Sequence, residues 1–264
     1  MTSFEDPSAW HDERRVQIRT GRTLGFVPTM GALHEGHLSL VRRSRTENDL
    51  TLVSLFVNPT QFDDPSDLAK YPRTLEADLA TLQTEGADFV FLPRDVGLYP
   101  DRYRYCVTET DLSMVMEGAY RPGHFNGVLT VVLKLLQIAS AERAYFGEKD
   151  WQQLALVQGM VEAFFVDTTI VACATVRETD GLAVSSRNRR LATEDRARAP
   201  RFYDALTFAP SAEAAARELR ALGFTVDYVQ DHDGRRLGAV RLGDVRLIDN
   251  VPLETGHDPH TRCR

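Results

Sequence analysis

Apolar positions recur along this chain with two different spacings. Short apolar runs at 24–28, 50–57, 89–92, 144–146 and 169–172 read as strands. Between them lie helical patterns. Val128, Val131, Val132, Leu135, Leu136 and Ala139 follow offsets that put all six on one helix face. Leu75, Leu79 and Leu82 do the same more briefly. Strand–helix alternation of this kind predicts an α/β fold, a doubly wound parallel sheet covered by helices. After about residue 176 the texture changes. Thr193 and Ser211 are placed to cap short helices, Gly223 to end the second, and the stretch 201–223 has room for little more than one helix. Residues 224–230 then alternate in the manner of a strand, Asp231 to Gly234 reads as a turn, and further strands fall at 237–242 and 245–248. The prediction is a catalytic domain over 1–175 and a smaller C-terminal α+β domain over 176–264, with a polar, loose tail from Glu254.

Composition narrows the class. The 264 residues are 43% hydrophobic and 26% charged, which excludes disorder as the main state. Lys and Arg number 31 against 38 Asp and Glu, a net charge of −7, and no basic tract exceeds Arg42-Arg43. Nucleic acid is therefore a poor partner, since its binding rests on phosphate neutralisation. The longest apolar stretches, 50–57 and 128–139, fall short of the roughly 20 residues that span a bilayer, and the charged N-terminus has no apolar signal core. No membrane association and a cytoplasmic location are expected. Cys106, Cys173 and Cys263 are too scattered for a disulfide framework, and His257, His260 and Cys263 sit in a tail with no pattern to hold a metal.

Four segments carry candidate chemistry. The first runs from Pro28 to His37 (PTMGALHEGH), after the first predicted strand and before an amphipathic segment. In doubly wound sheets ligands bind at the carboxyl ends of strands, and a helix opening near His37 offers free N–H groups to phosphate. His34 and His37 can point to one side there and donate hydrogen bonds to a phosphoryl oxygen. Phe56 to Phe62 (FVNPTQF) places the neutral amides of Asn58 and Gln61 at the next strand end, suited to a hydroxylated or carboxylated ligand, although Asn-Pro alone is simply a turn. Phe146 to Gln153 (FGEKDWQQ) offers Lys149 as a point charge, Asp150 as a helix cap and Gln153 one turn on, or else a solvated charged loop. Asp180 to Asn188 (DGLAVSSRN) brings Ser185, Ser186 and Arg187 together as a phosphate clamp on a hinge, or as a polar linker. Arg121-Pro122-Gly123-His124 adds a less specific anion contact.

The ordered set, with YPRTLEAD (71–78), EGAYRPGHFNGV (117–128) and RLIDN (246–250), resembles the pantothenate synthetase (pantoate–β-alanine ligase) family of the HxGH nucleotidyltransferases, from about Arg22 to Asn250. The resemblance implies a Rossmann-like fold, ATP as co-substrate with Mg²⁺, a pantoyl-adenylate intermediate, pantoate and β-alanine as substrates, and a homodimer. It places Met30, Gly31, Ala32, Leu33, His34, Glu35, Gly36, His37, Gly147, Glu148, Lys149, Asp150, Val176, Val184, Ser185, Ser186 and Arg187 at ATP. Gln61 and Gln153 would grip pantoate. Catalysis would rest on His37, His34, Lys149 and Arg187, with no metal-ligating side chain. The 176–264 segment would serve as a lid. Thr60 stands where the family commonly has Met, the 201–223 stretch looks short, and LGAVRLGDV before RLIDN is atypical. An adenylyl- or cytidylyltransferase would share HxGH but keep the nucleotide in its product. A silent nucleotide-binding module is the third possibility, and the intact His34, His37, Lys149 and Arg187 speak against it.

Overall fold

The computed structural model describes residues 1–253, and the chain divides into two compact units, Met1–Val176 and Arg177–Arg264. The tail with His257, His260 and Cys263 lies outside the described residues.

The first unit is built on six strands: β1 (Thr2–Phe4), β2 (Leu24–Thr29), β3 (Leu50–Leu55), β4 (Phe89–Phe91), β5 (Arg143–Gly147) and β6 (Thr169–Cys173). All pair in parallel, in the order β1-β4-β3-β2-β5-β6. Each of the five predicted runs is a strand, and the doubly wound Rossmann-like expectation holds. The runs read as continuous apolar segments because both sheet faces are buried. Phe26, Leu52, Phe91, Ala144 and Phe146 face one layer, together with the helix His124–Ala139. Val27, Val53, Val90 and Tyr145 face the other, against Leu40 and Val41 of the helix Glu35–Glu47 and Leu82 of the helix Leu75–Glu85.

Two predicted helix faces fare differently. All six periodic residues of His124–Ala139 are buried. In Leu75–Glu85, Leu82 is buried but Leu75 is exposed, and the inward position is taken by a carboxylate, Asp78. The pattern also left the N-terminus without elements, where the structure has β1 on the sheet edge and the helix Pro7–Arg19. That helix starts because Asp6 accepts from the amides of Ser8 and Ala9, with Pro7 at the first helical position. It is anchored by Trp10, fully buried, and by Arg14, whose guanidinium donates to the Ser140 carbonyl at 2.9 Å and pairs with Glu142 at 2.6 Å.

In the second unit, the helices Thr193–Arg198, Arg201–Phe208 and Ala212–Ala221 precede an antiparallel sheet of β7 (Thr225–His232), β8 (Arg235–Leu242) and β9 (Val245–Pro252). Two helices occupy 201–223, not little more than one: at 8 and 10 residues they are short, and a break at 209–211 that Ser211 caps on its far side lets both fit. Asp233-Gly234 and Gly243-Asp244 form the two hairpin turns, so the atypical LGAVRLGDV is ordinary strand and turn. Phe202, Leu206, Leu219, Val240 and Leu247 form this unit's own core.

Candidate active site

Within the first unit the chain winds from β2 through β3 to β4 in one direction, then places β5 and β6 on the other side of β2. The direction of winding reverses between β2 and β5, which is where open α/β sheets bind ligands. The segments after β2, β3 and β5 therefore lie side by side, and they carry three of the four candidate motifs.

The loop after β2 is strained and braced. Gly31 and Ala32 both have positive φ, 76° and 50°, and the latter is unfavourable for a residue with a Cβ. Asp78 holds the conformation. Its carboxylate accepts from the amides of Ala32 and Leu33, each at 2.9 Å, and from the Thr74 hydroxyl at 3.0 Å. This role was not read from the sequence. The available signal was a carboxylate one turn from Leu82 on the inward face of an amphipathic helix.

The helix Glu35–Glu47 then opens at His34, whose side chain makes no capping hydrogen bond. The His37 amide donates to the His34 carbonyl at 2.8 Å, so the uncapped amides are those of Glu35 and Gly36, the kind of helix opening that suits an anion. The rings of His34 and His37 stack at 4.0 Å between centroids, 27° from parallel. Gly36 leaves room for this stack, since a Cβ there would sit 3.0 Å from two atoms of the His34 ring. Burial, followed by the proximity of His34 and of the Lys149 charge, pulls the His37 imidazole down to about 3. His37 is therefore neutral near pH 7 and carries one N–H. Its Nδ1 is buried without a hydrogen-bond partner among the described residues.

At the end of β3, Asn58 is consumed by the framework. Its Nδ2 donates to the Gly127 carbonyl at 3.1 Å, and its Oδ1 accepts from Tyr99 at 2.9 Å and Thr60 at 3.1 Å. Asn58 therefore does not present its amide to a ligand, contrary to the sequence reading, while Thr60 has a place in the same network. Gln61 does turn inward, donating to Met30 Sδ at 2.8 Å and so meeting the first loop. The turn Pro59–Gln61 sits hard against the helix His124–Ala139, where a Cβ on Gly127 would lie 2.2 Å from the Thr60 carbonyl oxygen. His124 does not serve as the anion contact suggested by its sequence. It is buried, with Nδ1 at 2.7 Å from the Gln61 carbonyl and Nε2 at 3.1 Å from Arg121.

After β5, Gly147–Asp150 form a short turn leading into the helix Trp151–Ala163. Asp150 makes no side-chain capping bond, against expectation, since its backbone is not in the extended conformation that aims a capping side chain. Of the two adjacent glutamines, Gln152 is structural: it donates to the carbonyls of Leu112 and Val115 at 2.7 and 2.9 Å and accepts from the Glu117 amide at 3.0 Å. Gln153 is half-buried, and its side chain makes no hydrogen bond with another described residue. Val176 ends the first unit, and Val184–Arg187 belong to the second. There the Ser185 hydroxyl caps the 3₁₀ turn Ser186–Arg190, accepting from the Arg187 amide at 3.3 Å.

Comparison with known proteins is decisive for the family. The family model described as pantoate-beta-alanine ligase matches residues 2–252. The chain belongs to the pantoate–β-alanine ligase family. It is 54% identical to the pantothenate synthetase of Bdellovibrio bacteriovorus over 95% of this chain and 98% of that one. It is 53% identical to that of Legionella pneumophila (strain Philadelphia 1) over 96% and 100%. Among solved structures, a pantoate-beta-alanine ligase from Francisella tularensis complexed with beta-gamma ATP and beta-alanine aligns with TM-score 0.90 at 40% identity, covering 97% of this chain and 99% of that chain. A pantothenate synthetase from Thermus thermophilus aligns with TM-score 0.87 at 41% identity, over 96% and 99%. These pantoate–β-alanine ligases align almost end to end with this chain.

Proposed function

We propose that this enzyme condenses pantoate with β-alanine at the expense of ATP, through a pantoyl-adenylate. The observation that carries the reading is the pairing of two chemistries at the carboxyl end of one sheet. The end formed by His34, His37 and Lys149 suits phosphate, and that formed by Gln61 and Gln153 suits a neutral-amide grip on a hydroxy acid. Support comes also from the Francisella tularensis relative, which is complexed with beta-gamma ATP and beta-alanine.

A carboxylate does not acylate an amine until its oxygen becomes part of a leaving group. The pantoate carboxylate oxygen attacks the α-phosphorus of ATP and pyrophosphate departs. The β-alanine nitrogen then attacks the acyl carbon, AMP departs, and the amine proton is released. Negative charge grows on phosphoryl oxygens in the first step, so donors fixed in place before the reaction lower the barrier. In this reading neutral His37 donates to the reacting phosphate, His34 and Lys149 share its oxygens, and Met30–Gly36 with Gly147–Asp150 line the nucleotide. Val176, Val184, Ser185, Ser186 and Arg187 complete the ATP contacts. Gln61 and Gln153 hold pantoate.

Magnesium enters as MgATP, the form in which Mg²⁺ is carried mainly by phosphates and water. Among the described residues no cluster of three or more His, Cys, Asp and Glu side chains is placed to hold a metal. The same reading includes a homodimer and a cytoplasmic location. No helix among the described residues is long and apolar enough to cross a membrane.

The test is an assay for AMP and pyrophosphate from ATP, pantoate and β-alanine, omitting each substrate in turn. AMP release that needs all three supports the reading. A product that retains the nucleotide indicates an adenylyltransferase, and no ATP turnover indicates a binding module.

A further inference from the structure

His124 is a buried histidine with both ring nitrogens engaged by the protein, one of them on the backbone of a proposed substrate residue. Nε2 lies 3.1 Å from the Arg121 guanidinium. A guanidinium only donates, so Nε2 must be the acceptor and the hydrogen must sit on Nδ1. Nδ1–H then donates to the Gln61 carbonyl at 2.7 Å. Arg121 reaches the same carbonyl at 3.3 Å, and is itself held by Asp63 at 3.0 Å and Glu117 at 4.0 Å. Burial beside Arg121 keeps the imidazole neutral, which preserves this tautomer. The ring has no nitrogen left for a ligand or for proton transfer.

We propose that His124, aimed by Arg121, is a positioning residue that fixes the Gln61 backbone so that its side-chain amide is presented to the hydroxy acid. The inference rests on the reading of Gln61 as a pantoate contact. Gln61 lies on a three-residue turn, Pro59–Gln61, closed only by two long local bonds: the Gln61 amide donates to the Asn58 carbonyl at 3.4 Å and the Phe62 amide to the Pro59 carbonyl at 3.2 Å. So short a turn does not set the direction of its last side chain by itself. The bond from His124 to the Gln61 carbonyl and the close approach of Gly127 to the Thr60–Gln61 peptide do so together.

The experiment compares two substitutions of similar size in the full chain. His124→Asn places an amide donor where Nδ1–H stands and keeps the bond to the Gln61 carbonyl. His124→Gln reaches toward Arg121 and loses that bond. His124→Gln should raise the pantoate KM about tenfold, the effect of one lost neutral hydrogen bond, with the ATP KM within twofold of wild type and with melting temperature and circular dichroism recorded for each protein. His124→Asn should recover most of the pantoate KM. The decisive comparison repeats His124→Gln in a Gln61→Ala background. With no Gln61 side chain to aim, the further effect on pantoate should vanish, whereas a general loosening of the fold would add in full. Where turnover is too low, calorimetric pantoate affinity replaces KM. An unchanged pantoate KM in Gln61→Ala overturns the substrate assignment and the inference with it. A raised KM there, combined with equal KM values for Asn and Gln or with the same fold effect in both backgrounds, overturns the positioning role alone.

Discussion

Two imidazoles three residues apart become a candidate phosphate site only through what surrounds them. The His34 ring packs into the space that Gly36 leaves by lacking a Cβ, and the Lys149 charge near His37 comes from a different strand end. His37→Ala should lower turnover by roughly 10²–10³, the usual loss for one transition-state donor, with ATP binding reduced far less. Single-turnover AMP formation measures this, and near-normal turnover in the folded variant would remove the assignment. Asp78 acts at one remove. Asp78→Ala leaves the Ala32 and Leu33 amides without acceptors, at a stability cost of about 1–3 kcal/mol, and releases the strained loop. The ATP KM should rise severalfold and the pantoate KM less; a pantoate KM that rises more would place the loop's function elsewhere. The histidine pair was legible because strand, glycine and helix signals coincide around it. Asp78 was not, because a single carboxylate in a helical pattern reads as solvent-facing until the helix is docked.

Among the elements, the helix His124–Ala139 was the most legible and the Pro7–Arg19 helix the least. The first is apolar over most of its surface and buries that surface, so its period is visible along the chain. The second presents Val16 and Ile18 to solvent and buries only Trp10 and Arg14. Its docking depends on Arg14 reaching Ser140 and Glu142, more than 120 residues away, and no local window contains that information. The contact between His124–Ala139 and the Pro59–Gln61 turn is likewise non-local. Gly127→Ala should force that turn to move, since the added Cβ would lie 2.2 Å from the Thr60 carbonyl oxygen. Helix content should stay at the wild-type level while pantoate affinity falls; an unaltered pantoate KM would show that the turn can shift without moving Gln61. In the second unit, the buried Asp249 holds Arg177 through paired bonds at 2.6 and 3.0 Å, and Arg177 lies over the Tyr203 ring at 4.0 Å. Asp249→Asn should destabilise that unit by several kcal/mol, because it removes the counter-charge of a partly buried guanidinium. Denaturant melting monitored by the unit's tyrosines is the check, and an unshifted midpoint would discount the pair.

For the molecule as a whole, acid sensitivity follows from histidines buried in the neutral form. Burial, then the nearby Arg121 charge, lowers His124 to about 4 from an ordinary 6.5. The unfolded chain therefore takes up a proton that the folded chain refuses. Stability from this group is complete above about 6.5, falls by up to about 1.4 kcal/mol per pH unit as pH drops toward 4, and falls no further below that. His37 acts in the same direction. His124→Gln should flatten the fall of melting temperature between pH 6.5 and 4, and an unchanged slope would show that other groups set it. The sequence by itself determined the parallel doubly wound sheet, the α+β second part and the three neighbouring loops, because strand and helix periods are local and both sheet faces demand apolar runs. The roles of the polar residues were decided only by tertiary structure. Asn58 and Gln61 are both amides within four residues, as are Gln152 and Gln153, yet in each pair one is used up by the framework and the other left available to the site. Nothing in a residue's identity says whether its hydrogen-bonding capacity is already spent; that depends on which distant carbonyls and amides the packed core brings within about 3 Å.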